Sequence, residues 1–120
     1  MDDRRYIIRA DTHYDPGTRI LTALLELPGV KRRDITIRLA TTLFNRVRQV
    51  TVHGASRAPF DPSTSAVRER KYGRFSRSFS VPPDTKPDDI DAAMEDGILV
   101  LKISCGLPAA SADEHEIPIR

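Results

Sequence analysis

The stretch IDAAMEDGILVLKIS, residues 90–104, decides the fold of this chain of 120 residues. Its centre is Asp96-Gly97, a dipeptide strongly preferred in the two-residue type I′ turn that joins antiparallel strands. Apolar residues occur in the runs on both sides of this dipeptide, as expected for two strands that each turn a face to a core. The stretch therefore predicts a β-hairpin.

Apolar and polar residues alternate with a period of two on the N-terminal side of this hairpin. The pattern covers residues 21–27, 35–39, 50–52 and 75–81, and Gly54 is expected to end the third of these strands. Such alternation is typical of antiparallel sheets with one buried face and one solvent-exposed face. About eight short strands and no long helix predict an all-β sandwich, and a β-barrel is the alternative.

Composition indicates one soluble domain whose fold does not depend on an oxidising compartment. Hydrophobic residues make up 39% and charged residues 30%, and the formal net charge is only +2. Arginine supplies fifteen of the nineteen basic residues, but these are spread along the chain. The single cysteine, Cys105, cannot form an intramolecular disulfide, and neither a signal peptide nor an apolar membrane span is expected. We therefore predict a cytoplasmic protein.

No residue pattern indicates a catalytic, metal or cofactor site. The three histidines, His13, His53 and His115, lack metal-ligand spacing, and Cys105 has no neighbouring cluster. The acidic run at residues 88–96 lacks the alternating oxygen ligands and central glycine of a calcium loop. We predict that the protein is not an enzyme and binds no cofactor.

One segment raises the alternative of RNA binding. Residues 70–79, RKYGRFSRSF, mix basic and aromatic side chains, so that bases could stack on Phe75 and Phe79. The order of residues differs from the RNA-binding motif of that type, because Tyr72 precedes the glycine and Arg74 stands where a small residue is required. Our prediction is therefore that neither nucleic acid nor a membrane is a partner.

Several motifs in order resemble the α-crystallin domain of the small heat shock proteins, the Hsp20 family. They are LELPGVKRRDITIRL, VRERKYGRFSRSFSVP, the A-x-x-x-x-G-I-L pattern in AAMEDGILVLKI, and Ile-Pro-Ile near the end. The resemblance extends from about Ala10 to Ile103. It implies an immunoglobulin-like antiparallel β-sandwich at residues 10–104, a short N-terminal arm at residues 1–9, and a flexible C-terminal extension at residues 105–120.

The resemblance also implies a function. Members of this family act as holdases, chaperones that bind non-native client proteins without ATP and prevent their aggregation, and they assemble as homodimers and higher homo-oligomers. A co-chaperone domain similar to p23, which docks on another chaperone, is the alternative. The N-terminal arm is shorter than is usual in the family, and the connection at residues 40–49 is longer.

In relatives of the non-animal type, dimers form by exchange of a strand carried on a long loop. Here residues 67–72 would be that strand, pairing with the edge near residues 10–14 of a partner chain, and Arg77 would organise charge beside it. The implied dimer interface consists of Val67, Arg68, Glu69, Arg70, Tyr72 and Arg77.

The Ile-Pro-Ile motif is the implied link between dimers. In an extended chain Ile117 and Ile119 project to the same side, so both can enter one groove, and Pro118 stiffens the segment. By resemblance, the groove belongs to a neighbouring subunit and lies between two edge strands. The residues expected to line it for a tail or a client are Ile35, Ile37, Leu39, Ile90, Ala92 and Met94.

Overall fold

A computed structural model of the chain describes residues 5–64, 66–106 and 115–120. These residues form nine β-strands, three short 3₁₀ turns and no α-helix. The strands are β1 (Arg5–Tyr6), β2 (Ala10–Asp15), β3 (Ile20–Glu26), β4 (Ile35–Thr41), β5 (Arg48–Ser56), β6 (Gly73–Ser80), β7 (Ile90–Glu95), β8 (Ile98–Ser104) and β9 (His115–Glu116). Residues 1–4 of the predicted arm and residues 107–114 of the predicted flexible extension lie outside the described residues.

The strands form two sheets, so the predicted sandwich is confirmed over the barrel. One sheet has the order β1-β6-β5-β4-β9 and the other the order β2-β3-β8-β7. All pairs are antiparallel except β1–β6. The predicted hairpin is confirmed as β7–β8, where Glu95 pairs with Ile98 and both turn residues, Asp96 and Gly97, have positive φ.

The core lies between the sheets and is built from the inward side of the alternating strands. It consists mainly of Ala23, Leu25, Leu27, Ile35, Ile37, Leu39, Val50, Val52, Phe75, Leu99, Leu101 and Ile103. Residues expected to belong to the N-terminal arm also contribute, because Tyr6 pairs with β6 and the Ile8 side chain is buried in the core.

Gly54 does not end β5, contrary to the sequence-based expectation. The strand continues to Ser56, with Gly54 opposite Ile35 on one side and Phe75 on the other. A Cβ atom at residue 54 would overlap the backbone carbonyl oxygen of Asp34 and lie 2.8 Å from Phe75 Cζ. Glycine is required here because other chain segments approach the backbone closely, rather than because a turn begins.

The connection between β4 and β5 is a closed hairpin turn at residues 42–47. The Thr42 N–H donates to the Val47 carbonyl at 2.8 Å, and the Arg46 N–H donates to the Thr42 carbonyl at 2.9 Å. Both strands extend further than their apolar alternation indicated, to Thr41 and from Arg48. Among the described residues, none form a helix with the length and apolar character needed to cross a bilayer.

Candidate functional site

The candidate site is a groove between the edges of the two sheets. Strand β7 is the last strand of its sheet, and β4 lies at the edge of the other sheet except where the two residues of β9 pair with it. Five of the six residues expected to line the groove are buried: Ile35, Ile37, Leu39, Ile90 and Ala92. The sixth, Met94, is partly buried and packs against the same core.

The tail motif lies in this groove. Ile117 is 4% exposed and belongs to the core, whereas Ile119 is half-buried against it and Pro118 is exposed. The Ile117 N–H donates to the Ile37 carbonyl at 2.8 Å, and Glu116 is in register with Arg38 of β4. Two isoleucines spaced by two residues thus both face the core, as an extended chain requires.

A second set of contacts joins the tail to β7. The Arg120 N–H donates to the Ala92 carbonyl at 2.8 Å, and Arg120 Nη2 lies 2.8 Å from Asp91 Oδ2. The tail is therefore hydrogen-bonded to an edge strand of each sheet. The resemblance implied a groove in a neighbouring subunit, whereas in this structure the tail lies on the groove of its own chain.

The chemistry of the groove is that of a peptide-binding site rather than of a catalytic centre. Its walls are aliphatic, and the tail is held by backbone hydrogen bonds together with two apolar side chains. Backbone pairing at a sheet edge gives affinity without regard to sequence, and pockets for alternate side chains give selectivity. Over residues 5–64, 66–106 and 115–120, no group of three metal-ligating side chains is seen.

The segment expected to exchange between subunits forms no strand within its own chain. Val67 is 77% exposed, and residues 67–72 run as an irregular segment beside Gly29 and Pro28. The Arg70 guanidinium donates to the Pro28 carbonyl at 3.3 Å. The strand expected to receive this segment, β2, is an edge strand whose residues 11–14 are exposed.

Arg77 contacts the N-terminal residues of its own chain. Its Nη1 donates to the Ile8 carbonyl at 2.8 Å, and its guanidinium carbon lies 5.9 Å from the centre of the Phe79 ring. The side chain is half-buried on the same face of β6 as Phe75 and Phe79. Arg77 thus ties β6 to the segment that leads into β2, the strand expected to receive a partner.

The aromatic residues of the RNA-binding alternative are not available for stacking. Phe75 is 3% exposed and packs edge-on against Tyr6, with ring centres 5.8 Å apart. Phe79 is half-buried and already has the Arg77 guanidinium over its ring. The stacking mechanism that motivated this alternative therefore does not fit the structure.

Arg48 is a buried charged residue that no sequence pattern singled out. Its side chain is 1% exposed, and both Nε and Nη2 donate to the Thr85 carbonyl, at 3.1 and 3.0 Å. Nη1 donates to Thr41 Oγ1 at 3.1 Å. The alternation of the strand was the available signal, because residue 48 lies two and four positions before Val50 and Val52 and therefore on the same inward face.

Residues 21–120 match the model of the Hsp20/alpha crystallin family. Small heat shock protein C2 of Rickettsia felis is 33% identical over 79 residues, which are 66% of this chain and 49% of that protein. A 17.6 kDa class I heat shock protein of Helianthus annuus is 28% identical over 95 residues, 79% of this chain and 59% of that protein. The chain thus spans about half to three fifths of the length of these curated relatives.

Solved structures of heat shock proteins share the fold. The hspA protein of Xanthomonas axonopodis superposes with a TM-score of 0.65 at 23% identity, over 88% of this chain and 98% of that one. A small heat-shock protein from Xylella fastidiosa gives a TM-score of 0.65 at 24% identity, over 90% of this chain and 92% of that one.

Proposed function

The chain belongs to the Hsp20/alpha crystallin family, and from this premise we propose that it acts as an ATP-independent holdase for non-native proteins. The observation that carries the proposal is the seating of Ile117 and Ile119 between β4 and β7. A groove that accepts an extended segment with apolar residues two positions apart also suits the apolar stretches that unfolded proteins expose. Such binding is neither enzymatic nor dependent on a cofactor. The proposal includes the predicted cytoplasmic location.

The same groove supports assembly into higher oligomers through the tail. A neighbour's tail would use the register seen here, with the Ile117 N–H on the Ile37 carbonyl. Burying each isoleucine contributes roughly 1.5 to 3 kcal/mol, so one tail binds weakly once association costs are subtracted. Several tails acting together would give a stable but reversible assembly.

The dimer is proposed to form by exchange of residues 67–72 onto β2 of the partner. Support comes from the irregular, largely exposed segment 67–72 and from the edge strand β2, which pairs with β3 on one side only. Interface residues in this dimer are Val67, Arg68, Glu69, Arg70, Tyr72 and Arg77. A p23-like co-chaperone domain is less well supported, because the family match includes the tail motif.

The test of holdase activity is light scattering from a heat-stressed client protein without nucleotide. We expect an equimolar amount of the chain to slow aggregation, and an equal mass of serum albumin to have no comparable effect. If several unrelated clients aggregate at their uninhibited rate, the holdase proposal is wrong.

The dimer is tested by Arg70→Pro, with Arg70→Ala as the matched control. Proline removes the backbone donor that a paired strand needs at this position, whereas alanine keeps it. We expect Arg70→Pro to lower the mass in solution towards that of a monomer and Arg70→Ala, which loses only the side chain, to lower it far less. Equal masses for the two variants would contradict strand exchange.

A further inference from the structure

We propose that one end of the sandwich binds a linear polyanion of phosphate groups, for which inorganic polyphosphate is the simplest ligand. This surface, the basic end, comprises three adjoining depressions. They are lined by β1 and the residues that follow it, by the β3–β4 connection, by the end of β5 and by residues 68–72. Their volumes are about 570, 520 and 400 Å³, within the range of ligand sites. The groove that holds the tail contributes no residue to them.

The three depressions form one continuous surface. Arg70 and Lys71 line both the first and the second depression. Arg57 lines both the second and the third. A long ligand, rather than a single ion, therefore matches the shape of the basic end.

Net positive charge is concentrated at this end of the molecule. Eight basic and three acidic side chains line the depressions, which gives a net charge of +5. The whole chain has a formal net charge of +2, so the rest of the sequence carries a net charge of −3. One-sided charge of this kind raises the local concentration of oppositely charged ligands.

Most of this charge does not depend on the segment that is proposed to exchange between subunits. Five of the eight basic residues lie outside residues 67–72, and all five are exposed: Arg5, Arg9, Lys31, Arg33 and Arg57. These five residues remain at this end whether residues 67–72 stay on their own chain or pair with a partner, whereas the first depression, which residues 68–72 mostly line, is present only in the arrangement seen here. The inference accordingly stands apart from the holdase proposal.

The side chains present favour phosphate over nucleic-acid bases. Six of the eight basic residues are arginines, whose planar guanidinium matches phosphate oxygens in a bidentate manner. The aromatic rings at this end are already engaged: the guanidinium carbons of Arg68 and Arg70 lie 5.2 and 5.3 Å from the Tyr72 ring centre. Tyr6 packs against Phe75 and shares a hydrogen bond of 3.0 Å with Ser56.

The experiment is titration calorimetry of the full chain with inorganic polyphosphate at about 50 and about 200 mM salt. We expect binding that weakens with salt, and an affinity about tenfold lower for Arg33→Glu/Arg57→Glu, because two phosphate contacts are reversed in sign. The matched control is Lys86→Glu/Lys102→Glu, which changes the net charge equally but lies outside the basic end. Urea unfolding of both variants checks that they are folded.

Three outcomes would overturn the proposal. The first is no binding of polyphosphate by the folded wild-type chain, and the second is an equal loss of affinity in the control variant. The third is tighter binding, per charge, of polyglutamate or of single-stranded poly(U), which would make the ligand an acidic peptide or a nucleic acid. Because these titrations contain no client protein, their failure is distinguishable from a failure of the holdase assay.

Discussion

Arg120 closes the end of the groove on Asp91, with 2.8 Å between Arg120 Nη2 and Asp91 Oδ2, while its backbone N–H binds the Ala92 carbonyl. The two side chains are 68% and 47% exposed, so water and salt screen this ion pair. Exposed pairs of this kind stabilise by about 0.2 to 1 kcal/mol. Burial of Ile117 contributes more, and the ion pair fixes where the tail lies rather than whether it binds.

We first predict that Arg120→Ala loosens the tail only slightly, and only at low salt. The measurement is hydrogen exchange of the Ile117 N–H, which is protected by the Ile37 carbonyl. Exchange should accelerate by less than about fivefold, consistent with the loss of at most 1 kcal/mol. Asp91→Ala should act alike, and the double variant should add little. If the effects of the two substitutions simply add in the double variant, the Arg120 and Asp91 side chains do not stabilise each other.

The second prediction concerns Ile117→Ala, which should release the tail much more strongly. Losing most of the apolar burial costs about 2 kcal/mol, so the ratio of docked to free tail should fall about thirtyfold. Glu116→Ala, at the exposed neighbouring residue, is the matched control and should leave exchange of the residue 117 amide unchanged. If Glu116→Ala releases the tail as strongly, apolar seating is not what holds it.

The sandwich was predictable because alternation places each strand's apolar face without knowledge of its neighbours. That strands β4 and β7 form the two sides of the groove could be proposed by resemblance alone. Whether the tail occupies the groove of its own chain or that of a neighbouring subunit could not be predicted, since the groove of every subunit has the same residues and accepts Ile117 and Ile119 equally. The role of Gly54 was predicted wrongly, because glycine is required there by the approach of the Asp34 carbonyl. Such a contact joins segments that are distant in the sequence, so the local pattern does not show it.

The third prediction follows from that contact: Gly54→Ala should be severely destabilising. The added Cβ would overlap the Asp34 carbonyl oxygen and press on Phe75 Cζ at 2.8 Å, so backbone and core must both shift. We expect a loss of about 3 kcal/mol or more in the free energy of unfolding, measured by urea denaturation. Gly106→Ala is the matched control, because a Cβ there meets nothing within 4 Å. Similar urea midpoints for the two variants would show that the strands separate easily at residue 54.

The fourth prediction concerns Arg48, which links the start of β5 to the loop that contains Thr85. Arg48→Met keeps the apolar stem but removes both donors to the Thr85 carbonyl. We expect a loss of about 2 to 4 kcal/mol, because this buried acceptor would be left with fewer partners. Arg48→Lys, which retains the charge but not the fork of donors, should recover only part of the stability. Full recovery by lysine would mean that charge, rather than the paired donors, is required.

The last prediction is a pH dependence at the turn between β2 and β3. Asp15 Oδ1 accepts a hydrogen bond of 2.9 Å from the Gly17 N–H, and this bond, with others from Thr18, lowers the pKa of the Asp15 carboxyl. A folded-state pKa below the unfolded value gives stability that is present above about pH 4 and is lost as pH falls through the folded pKa. Asp15→Asn should therefore lower the urea midpoint at pH 7, and the gap to the wild-type chain should close in acid. Asp11→Asn, at an exposed residue of the same strand, is the control and should show a smaller gap at pH 7. A gap for Asp15→Asn that stays constant from neutral to acid pH would show that the charge on Asp15 does not stabilise the turn.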